Sequence, residues 1–124
     1  MAKRILIVDD DVDFTDLIRS KLEETGKYEV RVENQGSRGI RAASLFKPDL
    51  ILLDIVMPDI DGSEVAEKIR DDKNIKNTPI VFLTSIVSKE EVRSGGGFIG
   101  GQYFIAKPAS AREILNSIDR ILEK

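Results

Sequence analysis

The feature that most constrains this chain is a regular alternation of short apolar runs with stretches of helical periodicity. Ile5-Leu-Ile-Val8 and Leu50-Ile-Leu-Leu53 are apolar throughout, as strands buried on both faces require. Pro79-Ile-Val-Phe-Leu83 is similar, with Pro79 at the first position, where a missing N–H matters least. Glu29-Val-Arg-Val-Glu33 alternates polar and apolar residues and reads as a half-exposed strand, and Tyr103-Phe-Ile-Ala106 makes a fifth.

Helical patterns fill the gaps. Phe14, Leu17, Ile18 and Leu22 share a face ahead of a stop signal at Gly26. Ile40, Ala43 and Phe46 form a weaker stripe that ends before Pro48. Val65, Ala66 and Ile69 mark a third helix. Ile114, Leu115, Ile118, Ile121 and Leu122 mark a last one behind Ser110-Ala-Arg-Glu113, a capping-box pattern. Ser88-Lys-Glu-Glu91 repeats that pattern ahead of a shorter helix. Strands alternating with helices predict one α/β domain over residues 1–124, a doubly wound parallel sheet with helices on both faces.

In such sheets, sites form beyond the carboxyl ends of the strands. The residues there are Asp9-Asp10-Asp11, Asp54, Thr84-Ser85 and Lys107-Pro108. Composition narrows what they can do. With no Cys and no His, the chain has no disulfide, iron–sulfur cluster, thiol nucleophile or His-based triad, and a zinc site is disfavoured. A formal net charge of −3 with scattered Lys and Arg argues against a nucleic-acid surface. The apolar runs fall far short of the ~20 residues of a membrane span, and the N-terminus has no signal-peptide core. The expectation is a cytoplasmic protein that contacts neither nucleic acid nor membrane.

Asp9, Asp10 and Asp54 converging at one edge would repel each other and resist ionisation. A divalent cation removes that conflict, and hard oxygen ligands with open positions suit Mg2+. Lys107 adds a positive charge and Thr84 a hydroxyl. Carboxylates, metal, ammonium and hydroxyl are the parts that stabilise a transferring phosphoryl group, and a carboxylate can itself be the nucleophile. Each residue alone has a duller reading: the acidic triplet as a turn or helix cap, Asp54 as a strand end, Thr84 as a cap, Lys107 as a solvated charge. Their conjunction on one edge favours the site.

The segments Ile5-Leu-Ile-Val-Asp-Asp-Asp11, Pro48-Asp-Leu-Ile-Leu-Leu-Asp-Ile-Val-Met-Pro-Asp-Ile-Asp-Gly62, Pro79-Ile-Val-Phe-Leu-Thr-Ser85 and Tyr103-Phe-Ile-Ala-Lys-Pro108 together resemble the response-regulator receiver domain of two-component signalling. The resemblance spans essentially the whole chain. It implies a flavodoxin-like five-stranded sheet of order 2-1-3-4-5. It implies Asp54 as phosphoacceptor, with Asp9, Asp10, Asp54 and the backbone carbonyl of Val56 around Mg2+. Thr84 would hydrogen-bond the phosphoryl group and Lys107 would pair with it. Phe104 would be the aromatic that moves inward with Thr84. Pro58 and Gly62 would shape the turn after Asp54, and Pro108 would follow a peptide bond that is often cis. The implied role is a signalling domain rather than an enzyme, assisting its own Mg2+-dependent phosphorylation and dephosphorylation. Its partners would be a sensor histidine kinase or phosphotransfer protein and an unidentified downstream protein. Lacking His, the chain must receive phosphohistidine chemistry from another protein or domain.

Several positions depart from the family's habits. Phe104 stands where Tyr is frequent, so a hydroxyl-based readout of the inward rotamer is lost. Val56 and Ile86 are apolar where polar residues often sit, which predicts a slow-decaying phosphoaspartate. Ser94-Gly-Gly-Gly-Phe-Ile-Gly-Gly101 replaces the usual end of a fourth helix, which is expected to stop near Arg93 or Ser94 and to leave a mobile signalling face. Two other classes remain to be weighed. A haloacid-dehalogenase-type phosphohydrolase would share the early Asp motif, but Asp13 sits where that motif wants Thr or Val, and a late acidic pair is missing. A degenerate receiver that only docks is opposed by intact Asp54, Thr84 and Lys107. No effector segment follows Lys124, so the chain reads as a stand-alone receiver or as a fragment of a larger regulator or hybrid kinase.

Overall fold

The structure is a computed structural model that describes residues 2–85, 88, 90, 98–99 and 102–123. Strand β1 (Lys3–Val8) leads to helix α1 (Val12–Glu24), β2 (Tyr28–Glu33), α2 (Gly36–Phe46), β3 (Leu50–Asp54), α3 (Gly62–Arg70) and β4 (Ile80–Thr84). After these come β5 (Phe98–Ile99), β6 (Gln102–Ala106) and α4 (Ala111–Leu122). Five parallel strands run in the order β2-β1-β3-β4-β6, the arrangement expected with β6 as the fifth strand. The two-residue β5 adds an antiparallel pairing on the outer edge of β6, a strand the sequence reading did not include. Most of the short helix expected after Ser88 lies outside the described residues, as do Ile86 and, apart from Phe98 and Ile99, the Gly95–Gly101 segment.

The sheet divides two cores by strand alternation. Ile5, Ile7, Leu50, Leu52, Val81, Leu83 and Ile105 face α1 and α4, where Ile18, Leu22, Ile114 and Ile118 meet them. Leu6, Val8, Ile51, Leu53, Ile80 and Phe82 face α2 and α3, where Ala42, Ala43, Val65, Ala66 and Ile69 close the other layer. Strands β1, β3 and β4 are therefore sandwiched on both sides, which is why they read as continuous apolar runs. One expectation needs correction. Leu17 is 52% exposed, and the inner stripe of α1 is Thr15, Ile18 and Leu22, spaced at i, i+3 and i+7.

Local chemistry sets the ends. The Asp11 side chain accepts from the Phe14 N–H and starts α1, while Gly26, at a φ of +74°, follows the α1 C-cap Thr25. Lys47 takes a left-handed φ of 51° to end α2 before Pro48. Ser110 and Glu113 form the expected capping box of α4. The start of α2 has no cap of its own. Asp59, from the loop after β3, accepts from the N–H groups of Gly36 and Ser37 and from the Ser37 hydroxyl, binding that loop to the helix.

Candidate functional site

Strand register builds the site. Val8 pairs with Leu53, so Asp9 and Asp54 are the next residues on adjacent strands. Asp54 pairs with Leu83 and Thr84 with Ala106, which puts Lys107 one step past the edge. The Lys107 N–H donates to the Thr84 carbonyl at 2.9 Å and continues the ladder. The four expected residues therefore meet at the carboxyl ends of the central strands. Asp9 and Thr84 are buried, Asp54 is 7% exposed and Asp10 lies on the surface.

The side chains make an unbalanced cluster. Lys107 Nζ lies 2.7 Å from Asp9 Oδ2 and 3.6 Å from Asp54 Oδ2. Asp9, Asp10 and Asp54 each offer a carboxylate oxygen within 4.8 Å of the others. Burial, then the Asp9 charge, pushes the Asp54 carboxyl up to about 6, against the opposing pull of Lys107 and a backbone hydrogen bond from Val56. Burial alone would lower the Lys107 ammonium, but its hydrogen bond to Asp9 and the surrounding carboxylates outweigh that and raise it. Three hard oxygen donors with one cation among them suit a divalent ion such as Mg2+, which takes few carboxylates and completes its shell with water and phosphate.

The acidic triplet divides its labour: Asp9 and Asp10 join the cluster, whereas Asp11 caps α1. Asp9 is held in place, since its Oδ1 accepts from the Asp11 N–H at 3.0 Å. Asn34 Nδ2 donates to the Asp9 carbonyl at 2.8 Å and to Thr15 Oγ1 at 3.0 Å. Asn34 is the first residue after β2, so the rule that selects residues beyond strand ends applies to it, although it was not among the expected site residues.

The loop after Asp54 is fixed by Gly62, whose N–H donates to the Ile55 carbonyl at 2.7 Å. A Cβ on Gly62 would sit 2.1 Å from the Asp54 carbonyl oxygen, so only glycine allows this approach. Pro58 is exposed in the same loop, and Val56 is 67% exposed two residues past Asp54. The Lys107–Pro108 peptide is cis. Phe104 is half-buried on β6, its ring centroid 5.6 Å from that of Phe82. Among the described residues, no buried side-chain nitrogen or oxygen lacks a hydrogen-bond partner, and no helix is long and apolar enough to cross a membrane.

Comparison with known proteins gives a consistent pattern. Residues 5–119 match the model of the response regulator receiver domain. The chain is 35% identical over its whole length to the alkaline phosphatase synthesis transcriptional regulatory protein PhoP of Bacillus subtilis, covering 50% of that protein. It is 31% identical to the polar-differentiation response regulator DivK of Brucella anthropi, with 98% of each chain covered. It thus spans about half the length of several curated relatives and nearly all of another. Among solved structures, the chemotaxis protein CheY4 of Vibrio cholerae superposes with a TM-score of 0.82 at 27% identity, over 98% of this chain and 99% of that one. A CheY-like receiver domain protein from Methanospirillum hungatei gives 0.81 at 31% identity, over 99% and 95%.

Proposed function

This chain belongs to the response regulator receiver domain family of two-component signalling, and from that premise we propose that Asp54 is its phosphoacceptor, served by Lys107, Thr84 and an acidic Mg2+ pocket. The observation that supports this reading is the convergence of Asp9, Asp10 and Asp54 with the Lys107 ammonium at the carboxyl ends of β1, β3 and β6.

The residues divide the work by position. A carboxylate oxygen of Asp54 attacks phosphorus, and the bond from phosphorus to the donor nitrogen breaks, leaving an acyl phosphate on Asp54 and the electron pair on the donor imidazole. Lys107 already touches both Asp9 and Asp54, so its ammonium need move little to pair with a phosphoryl oxygen. Thr84, buried beside Asp54 at the end of β4, supplies a hydroxyl donor. Asp9, Asp10, Asp54 and the Val56 carbonyl would hold Mg2+, which would supply charge neutralisation for the phosphoryl oxygens. Thr84 then follows the phosphoryl group and Phe104 turns into the space it leaves, biasing two packings of the face that partners meet. With Lys107 beside it, Asp54 at about 6 is mostly ionised at neutral pH, so it is competent as a nucleophile before a metal helps further.

The donor is a phosphohistidine on a sensor histidine kinase or phosphotransfer protein, and the output is a change in affinity for a downstream protein. Incubation with acetyl phosphate and Mg2+ should label wild type, and Asp54→Asn should take no label. Rapid turnover of acetyl phosphate without a stable adduct would instead identify a phosphohydrolase. The exposed Val56 side chain positions no attacking water, so the adduct should outlast many minutes. Decay within seconds would refute that lifetime.

A further inference from the structure

Lys107 has a third neighbour that is not a carboxylate. Its Nζ lies over the ring of Phe14, 5.1 Å from the centroid. Phe14 is half-buried, packed against the core between the sheet and the helices α1 and α4. Its backbone is pinned by the first turn of α1, where its N–H donates to Asp11 Oδ1 at 3.1 Å. A cleft of about 350 Å3 opens beside the pair, lined by Asp11, Phe14, Ser85, Lys107, Pro108 and Ala109.

The other two partners of the ammonium are ones it must share. Asp9 and Asp54 are the carboxylates that a divalent cation would also take, and phosphorylation would esterify Asp54. An aromatic face attracts a cation through its quadrupole, adds no charge to a crowded acidic pocket and does not compete for a hard metal ion. We propose that Phe14 is a positioning residue whose ring face keeps the Lys107 ammonium at the rim of the acidic pocket while Asp9 and Asp54 are engaged elsewhere. The inference rests on the reading of Lys107 as the phosphoryl partner.

Two measurements test it. In metal-free protein, the ε-methylene protons of Lys107 should be shifted upfield by the ring current of Phe14, and Phe14→Leu should return them to ordinary lysine values. In acetyl phosphate labelling with Mg2+, Phe14→Leu should slow the initial rate about two- to five-fold, the range expected of a modest cation–π contact. Phe14→Tyr should retain the wild-type rate. Because Leu could also disturb packing, phenylalanines carrying one, two and three ring fluorines at position 14 make the decisive series. They weaken the ring's negative face stepwise at nearly constant volume, and the rate should fall with each fluorine. A Lys107 methylene signal without an upfield shift in wild type, or a rate flat across the fluorinated series, would overturn the role of Phe14 and leave Asp54 as the phosphoacceptor. A wild-type chain that takes no label would overturn both.

Discussion

The two ends of the sheet use the same residue types to opposite effect. At the carboxyl ends, Asp9, Asp10 and Asp54 crowd around Lys107. At the amino ends, where β2 begins and α4 finishes, Asp119 pairs with Lys27 at 2.9 Å and accepts a short hydrogen bond from the Tyr28 hydroxyl. The first cluster sets three carboxylates against one ammonium, and the second sets one against one. The consequences follow that ratio. Asp54 is pushed up to about 6 by burial and by Asp9. Burial also pushes Asp119 upward, but the Tyr28 and Lys27 contacts outweigh it and hold its carboxyl below the usual range. Tyr28 is raised in turn, by burial first and by Asp119 second. The balanced end ties α4 to β2, while the unbalanced end costs stability and so creates a demand for a cation and a phosphoryl partner.

The unbalanced end survives because backbone packing holds it together, and the largest expected effect comes from breaking that packing. Gly62→Ala would set a methyl group 2.1 Å from the Asp54 carbonyl oxygen and 2.7 Å from Ile55 Cα, both backbone atoms that cannot swing aside. Overpacking against backbone should cost about 3 kcal/mol or more in urea unfolding and should suppress labelling of Asp54. A variant within about 1 kcal/mol of wild type would mean that the loop yields and the approach is not obligatory.

Next in size is a gain. A carboxyl raised in the folded state binds its proton more tightly there than in the unfolded chain, so its contribution falls as pH rises from the unfolded pKa of about 4 to about 6. Asp54→Asn removes that loss. Without metal, the variant should exceed wild type by about 2–3 kcal/mol at pH 7 and match it below pH 4. Adding Mg2+ should raise the melting temperature of wild type more than that of the variant. Equal stability at pH 7 would show that the pocket is not electrostatically strained.

What the sequence made legible follows from where each signal is local. The buried strands announce themselves because β1, β3 and β4 are covered on both faces, and the caps at Ser110 and the stop at Gly26 are single-residue chemistry. Asp9, Asp10, Asp54, Thr84 and Lys107 were legible because a parallel sheet brings every strand end to one edge. Leu17 misled because any Leu near an apolar stripe looks like part of it, and only the packing of α1 decides. The spacing of Phe14 marks it as core, and it is partly that, but its ring also meets a lysine just past β6, far along the chain. Asp59 capping α2 and Asp119 joining Tyr28 are equally long-range, and neither spacing nor composition encodes such pairs. The two-residue β5 is too short to carry a period at all.

The smallest expected effect lies at the balanced end and runs in the opposite direction with pH. A carboxyl held below its unfolded value contributes stability above about pH 4 and loses it as pH falls through the folded pKa. Asp119→Asn gives up the charge pairing with Lys27 but keeps an acceptor for the Tyr28 hydroxyl. Asp119 is 24% exposed and Lys27 52%, so solvent screening holds the cost to about 1 kcal/mol at pH 7. The gap from wild type should close as pH falls toward 3, whereas the Asp54→Asn gap opens between about pH 4 and 6. Urea unfolding of both variants across that range therefore separates the two ends of the sheet by slope as well as by sign. An Asp119→Asn deficit that persisted unchanged at pH 3 would place its origin in packing or hydrogen bonding, and the contrast of charge ratios between the two ends would then fail for the lower one.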